Sequence, residues 1–410
     1  MSEGWRKRAD EHKASGREGG HHEERTTMTD TYSMLEARFA EEQRKHPVPL
    51  TAADLPVSYE AITPQWLTQV LCATHSGAAV TACRLGPRDE GTSSRRRISL
   101  ECNDAGRRAE LPASVFCKST HTLKSRFQLA LNGFVEGEVR FYNHLRPLLD
   151  IEAPQCLFAN FDDYTFNSII ILRDMTGAAT FCRHDEPIPR ERAESQVRLL
   201  ATLHATFHAK PPATSFPFLR TWDDTFTATA ENGFHEACLR GFEMAEAAIP
   251  PRLFKREAEI WPATVESVAR HQRLPQTVIH SDPHLKNWYV AASGAMGLND
   301  WQCVCRGHWG RDLAYCLSTA LETEDRRAWE RDLIALYLDG LRAKGMPPTS
   351  FDDAWTHYRQ QLFGALAWWT GTLGQPPNAP EMQPRDSSLQ FIGRMARAID
   401  DLDALDAFRA

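Results

Sequence analysis

An α+β chain is expected, with a small antiparallel-sheet lobe first and a larger, mainly helical lobe after it. Three observations lead there. Short apolar runs punctuated by glycine and proline fill the region before about residue 175, as paired strands do. Helical periodicity dominates afterwards: over 190–209, Val197, Leu200, Leu203, His204 and Phe207 share one side, and 326–344 and 351–369 follow suit. Between these helices sits a compact strand–loop–strand unit, 277–300, whose loop carries clustered polar side chains. The organisation expected is a disordered tail over 1–47, a sheet lobe over 48–175 and a helical lobe over 176–410.

Each element has a local reason. Residues 1–47 are polar, mixed in charge and poor in large apolar side chains, which predicts disorder; 33–45 could form a surface helix. His21-His22-Glu23-Glu24 belongs to this solvated tail and is not read as a metal site. A helix over 62–71 has Pro64 in its first turn, where a missing N–H costs nothing. Strands over 80–85 and 96–102 are joined by 86–95, where the small residues around Gly91 and Ser93 would let backbone N–H groups approach phosphate oxygens. An ordinary hairpin loop accounts for the same residues. Neither G-x-G-x-x-G nor G-x-x-x-x-G-K-[ST] occurs.

The run 113–118 is a strand ending in Lys118. The helix predicted over 134–142 stops near Pro147 and places Phe134, Glu138, Phe141 and Leu145 on one face. Glu136 shares the solvated face with Arg140 and Asn143. A carboxylate on an apolar face needs a partner, because burying it unpaired is costly. Glu138 is therefore the expected partner of Lys118. Residues 168–177 are a buried-type strand breaking into a polar segment, and backbone groups from Arg173 to Met175 could read an adenine edge.

The densest signal is His280-Ser281-Asp282-Pro283-His284-Leu285-Lys286-Asn287, followed after a hairpin by Asp300-Trp301. H-x-D-x-x-x-x-N supplies a carboxylate to orient a hydroxyl and an amide to hold a metal ion, and the later aspartate supplies a second magnesium ligand. Pro283 pushes Asp282 out of helical geometry and onto a bend. Short strands at 277–279 and 288–290, a turn at 293–297 and a strand into Asp300 would deliver Asp282, Asn287 and Asp300 to one rim.

Composition excludes some classes. A net charge of −7 with 25% charged residues gives no footprint for nucleic acid. The longest apolar stretch, 362–373, is too short to span a bilayer and reads as a buried helix. Ten cysteines lie scattered with no C-x-x-C, and Cys303-Val304-Cys305 lacks companion ligands, so zinc is not expected. The first residues have no apolar core of a secretory signal, and a cytoplasmic, reduced setting is the expectation.

Together these residues resemble the aminoglycoside phosphotransferase and choline kinase superfamily, and within it the ecdysteroid-kinase-like (CHK kinase-like) group. The resemblance runs from about Ile62 to the C-terminal helices and is densest between Val278 and Leu317. It implies a protein-kinase-like two-lobed fold that phosphorylates hydroxyls of small molecules with ATP or GTP and Mg2+. By that resemblance Asp282 is the catalytic base, Asn287 and Asp300 are the metal ligands, and Lys118 with Glu138 is the phosphate-holding ion pair. His280 braces the loop. Asp312, in Gly310-Arg311-Asp312-Leu313-Ala314, matches the downstream aspartate that braces the catalytic loop. Ser281 departs from the family's frequent glycine, and Trp301-Gln302 stands where protein kinases have Phe-Gly.

The acceptor is expected between the catalytic loop and the helices after it, with the insert 211–250. Trp222, Trp355, Trp368 and Trp369 could offer aromatic faces or simply pack the core. Asp223, Asp224, Asp352 and Asp353 would suit a cation or serve as solvated charges, Asp353 as a helix cap. The alternatives are a catalytically silent nucleotide-binding regulator and a protein kinase. The short run from Asp300 to Asp312, with no A-P-E after it, disfavours the latter. The sequence leaves the oligomeric state open.

Overall fold

In the computed structural model, which describes residues 28–45, 47–132, 134–208, 212–376 and 382–409, a five-stranded antiparallel sheet sits on a helical body. The first helix, α1 (Met28–Lys45), covers the surface helix expected over 33–45 and extends it into the part of the tail expected to be disordered. It buries Leu35 completely, and its Glu42 meets the fully buried Arg126 at 2.6 Å. A partner so far along the chain leaves no periodic trace in the tail itself. His21 to Glu24 fall outside the described residues.

Helix α2 (Pro64–Leu71) begins with Pro64, and the Thr63 hydroxyl accepts from the Trp66 N–H at 3.1 Å. Strands β1 (Val80–Glu90), β2 (Ser94–Cys102) and β3 (Ser114–Ser119) follow, then α3 (Leu123–Asn132) and a short α4 (Gly137–Arg140) that widens into another turn over Phe141–Leu145. Strands β4 (Cys156–Phe161) and β5 (Ser168–Arg173) complete the sheet in the order β1-β2-β3-β5-β4. The long loop expected over 86–95 is mostly strand. Its glycine and proline fall at an irregularity between Leu85 and Arg88, and Gly91 to Ser93 form the actual turn.

Period-2 alternation explains the sheet's two faces. Val115 and Cys117 of β3 and Ile169 and Ile171 of β5 pack with Trp66, Leu67 and Ile98 in the small-lobe core. Phe116, Ile170 and Leu172 face the other way, into the larger core. The unbroken Ile-Ile-Ile-Leu run of β5 follows, since both of its faces are buried. Lys118 is two residues from Phe116 and points the same way, toward the second lobe.

After β6 (Ala179–Phe181) the chain is mainly helical, with α5 (Arg190–His208), α6 (Trp222–Thr229), α7 (His235–Met244) and α8 (Glu257–His271). Short strands β7 (Thr277–Ile279), β8 (Trp288–Ala291), β9 (Met296–Leu298) and β10 (Cys305–Gly307) frame the loop over 280–287. Four helices follow: α9 (Gly310–Ala320), α10 (Thr323–Ala343), α11 (Phe351–Leu373) and α12 (Arg385–Asp401). Every residue of α9 is buried, so its polar members Arg311 and Asp312 must find partners inside the protein. No helix among the described residues is long and apolar enough to cross a membrane.

Candidate active site

A cleft of about 840 Å³ opens between sheet and helical body, lined in part by Lys118, Glu138, Asn287 and Asp300. Lys118 Nζ lies 2.6 Å from Glu138 Oε2 and 2.9 Å from Asp300 Oδ1. Burial opposes the ammonium charge, but the Asp300 and Glu138 carboxylates outweigh it and hold the Lys118 pKa above its ordinary value. Burial likewise works against the Asp300 carboxylate, and Lys118 more than offsets that, carrying its pKa below the usual range. One cation shared by two carboxylates leaves a surplus negative charge at the cleft floor.

The elements explain this convergence. Lys118, the penultimate residue of β3, lies opposite Arg95 on β2 and Ile170 on β5. Glu138 sits on α4, which is held against the Asp300 loop by a stack of Phe141 on Trp301 at 3.8 Å. Asp300 adopts a left-handed backbone, φ +62°, where the chain leaves β9. The Asn299 N–H and side-chain amide both donate to the Asn287 carbonyl oxygen, at 2.9 and 2.7 Å, tying the two proposed metal ligands together.

Asp282 is set back from the cleft lining and one-fifth exposed. Burial pushes its pKa up to about 6. Its carboxylate lies 3.6 Å from His284 Nε2 and accepts from the Asn287 amide at 3.4 Å. The same amide donates to the Asp282 carbonyl oxygen at 2.8 Å, which leaves the Asn287 side-chain oxygen as the atom able to meet a cation.

A second layer fixes the loop. The Asp312 carboxylate accepts the His280 and Ser281 N–H groups at 2.6 and 2.8 Å. It also meets His204 Nε2 at 3.2 Å, and the other ring nitrogen of His204 meets the Tyr337 hydroxyl at 2.7 Å. His204 is thus a satisfied core histidine. His280 Nδ1 accepts from the Asp282 N–H at 3.2 Å, and its Nε2 faces the Asn299 carbonyl at 3.0 Å, bridging the two halves of the site.

Sequence reasoning missed Arg311. It is fully buried, stacks over Trp222 at 3.3 Å, and donates to the Ser281 hydroxyl and carbonyl at 3.0 and 2.9 Å. Ser281 sits at φ +70°, a conformation that costs a non-glycine residue about 1 kcal/mol. The serine standing where the family often has glycine was the available signal: its strain calls for a clamp.

Gly91, Arg173 and Met175 line the cleft. Ser93 does not; it lines a small separate recess behind Lys118 with Ser119 and Gln302. The shorter turn of the observed hairpin directs it there. Arg173 Nε is held by the Gln155 side chain at 2.7 Å, while the Met175 carbonyl accepts the Ala178 and Ala179 N–H groups within its own turn. Of the acids considered for an acceptor, Asp224 forms a capping box with Thr221, and Asp353 helps cap α11 through Ser350. Trp222 carries Arg311, and Trp369 packs on His284 and Phe391. No group of three or more His, Cys, Asp or Glu suited to a metal occurs among the described residues.

A small sheet lobe, a helical lobe and a cleft between them define a protein-kinase-like fold. The sequence matches the phosphotransferase enzyme family (APH) over residues 126–348, more than half of its length, and the chain belongs to that family. Among solved structures it is similar to the microcompartment-associated aminopropanol kinase, at 15% identity and a TM-score of 0.48 over 82% of this chain and 98% of that one. It is also similar to the Plasmodium vivax ethanolamine kinase, at 11% identity and a TM-score of 0.46 over 96% and 97%. A third is the GDP complex of wild-type aminoglycoside 2'-phosphotransferase-IIIa, at 11% identity and a TM-score of 0.45 over 81% and 98%. No curated protein matches the chain.

Proposed function

We propose that this phosphotransferase is a small-molecule kinase that moves the γ-phosphoryl group of ATP or GTP to a hydroxyl. The observation that carries the reading is the Lys118 ammonium held between Glu138 and Asp300 on the floor of a cleft that Asn287 also lines. Lys118 steadies the nucleotide phosphates. Gly91, at the hairpin turn, lets backbone approach them without a side chain in the way. The Met175 N–H, which has no partner among the described residues, is a donor suited to the edge of a purine ring.

Asn287 and Asp300 are the residues that would hold magnesium. Two protein oxygens with the balance of ligands from phosphates and water suit this ion better than a closed protein cage. The surplus negative charge beside Lys118 fits a divalent cation. When bound, magnesium spreads the charge carried by the phosphates.

The acceptor oxygen attacks the γ-phosphorus in line, its bond to the β–γ bridging oxygen breaks, and the nucleoside diphosphate leaves. The acceptor's proton passes to an Asp282 carboxylate oxygen. Positioning carries most of the rate in such chemistry, and the bracing of Asp282 through His280, Asp312 and Arg311 serves it. The short path from Asp300 to α9 has no room for a long activation segment, which supports a small acceptor over a protein.

Asp282→Ala should abolish phosphate transfer to metabolite extracts while leaving Mg·ATP affinity within about threefold of the parent. Labelled-nucleotide transfer and calorimetry read the two quantities. Full turnover in this variant would refute the assignment of the base, and absence of magnesium-dependent nucleotide binding in the parent would refute the function.

A further inference from the structure

Two cations at the catalytic mouth of the cleft are unused by the site as described so far. Lys286 projects from the catalytic loop one residue before Asn287, half-buried on the cleft wall. Its Nζ donates to the Gln383 side-chain oxygen at 2.6 Å, a neutral partner, and no carboxylate among the described residues lies within ion-pair distance of it. Arg95 faces the same cleft from the start of β2, opposite Lys118 in the sheet. Its guanidinium folds over the hairpin turn, where a Cβ on Gly91 would stand 2.9 Å from Arg95 Nη2. Gly91 therefore makes room for the arginine as much as for a ligand.

Arg95 pairs across the sheet with Lys118, whose ammonium lies 2.9 Å from the Asp300 carboxylate, and it lines the same cleft as Lys286. Its own carboxylate partner, Asp89 at 3.1 Å, is two-thirds exposed, and a pair so placed is worth little. Two like charges facing across a cleft, one of them partly desolvated, repel each other unless an anion lies between them.

We propose that Lys286 and Arg95, one from each lobe, form a two-sided clamp for a phosphoryl group at the catalytic mouth. The inference rests on the phosphotransferase reading above and deepens it. The shared chemistry is a tetrahedral phosphoryl dianion, supplied by the nucleotide's tail or by a phosphate already on the acceptor. Guanidinium and ammonium donors approaching from opposite sides would grip its oxygens and oppose the charge gathering there during transfer. A mouth of this sign admits neutral or anionic alcohols and repels polycations.

The test uses the full chain with magnesium, comparing ADP with the non-hydrolysable β,γ-imido analogue of ATP by calorimetry. In Lys286→Gln and Arg95→Gln the preference for triphosphate over diphosphate should fall roughly tenfold each, with ADP affinity within about twofold of the parent. Lys286→Arg should keep most of it. Inorganic phosphate titrated into the ADP-loaded protein separates the two sources: loss there alone assigns the clamp to a phosphate on the acceptor. Unchanged analogue preference together with unchanged phosphate binding in both Gln variants overturns the clamp. A parent that binds neither nucleotide overturns the phosphotransferase reading and the clamp with it. Label from extract screens should enter compounds that pass a cation exchanger, and label chiefly in the retained polycations would refute the selectivity.

Discussion

At Asp282 the needs of the proposed chemistry and of folding oppose each other. Burial raises its pKa from the ordinary 3.8 to about 6. Between those values the folded chain holds a proton that the unfolded chain has lost. Stability from this group therefore falls as pH rises toward 6, and the full cost, at most about 2–3 kcal/mol, is present above it. Asp282→Asn keeps the shape and removes the charge, so it should stabilise the protein by about 1–2 kcal/mol at pH 7.5 and by little at pH 4. Urea denaturation at the two pH values measures this; a variant less stable at pH 7.5 would mean that the charged carboxylate is held by partners stronger than those named here. The residue was legible in the sequence because its spacing to His280 and Asn287 is local. The Arg311 clamp on Ser281 was not, because the need for it arises from a backbone dihedral and its answer comes 30 residues later.

Among the elements, α4 carries the most consequence for its length. Its first residue, Gly137, faces the Asp300 loop so closely that a Cβ would stand 2.5 Å from the Gln302 carbonyl oxygen. That atom is backbone and cannot swing aside. Gly137→Ala should push α4 off the loop, strain the Phe141–Trp301 stack and draw Glu138 from Lys118. A cost of about 1–3 kcal/mol in stability is expected, with nucleotide affinity reduced at least several-fold. Calorimetry and denaturation on the same variant decide it, and unchanged Mg·ATP binding would show that α4 does not set the position of Glu138. The carboxylate itself was legible, since an acid on an apolar helix face demands a cation. The close approach was not, because a glycine says only that room is needed and not for what. The same gap explains the hairpin: Gly86 and Pro87 suggest a loop, yet pairing with β2 carries the strand through them. A surface helix over 33–45 was legible, but the docking of α1 through Arg126 was not, since that anchor lies 84 residues away.

Across the whole molecule, the site exists only because the two lobes meet, and the contact that joins them, Lys118 to Asp300, spans 182 residues. Sequence reasoning could name both ends but not the distance between them. Packing within the lobes also buries histidines, with a consequence for pH. Burial first, and neighbouring cations second, push the pKa of His121, His271 and His284 down to about 3, and burial lowers His280 and His308 as well. In the unfolded chain each would titrate near 6.5. Below that pH the unfolded chain takes up protons that the folded one refuses, so the stability these groups confer is present above about 6.5 and lost as pH falls. Each contributes a slope of up to about 1.4 kcal/mol per pH unit, and three together up to about 4. Asp282 acts in the opposite direction between 3.8 and 6, but it is one group against at least three. A domain has only about 5–15 kcal/mol to lose. Cooperative unfolding is therefore expected between about pH 6 and pH 4.5, well above the range in which depressed carboxylates such as Asp312 would give way. Urea midpoints at pH 7.5, 6 and 5 should fall steeply, and His121→Phe should make the fall shallower by about 1.4 kcal/mol per pH unit. Midpoints that stay level from pH 7.5 to 5 would mean that these imidazoles gain protons without leaving the folded state, through local openings that water can enter.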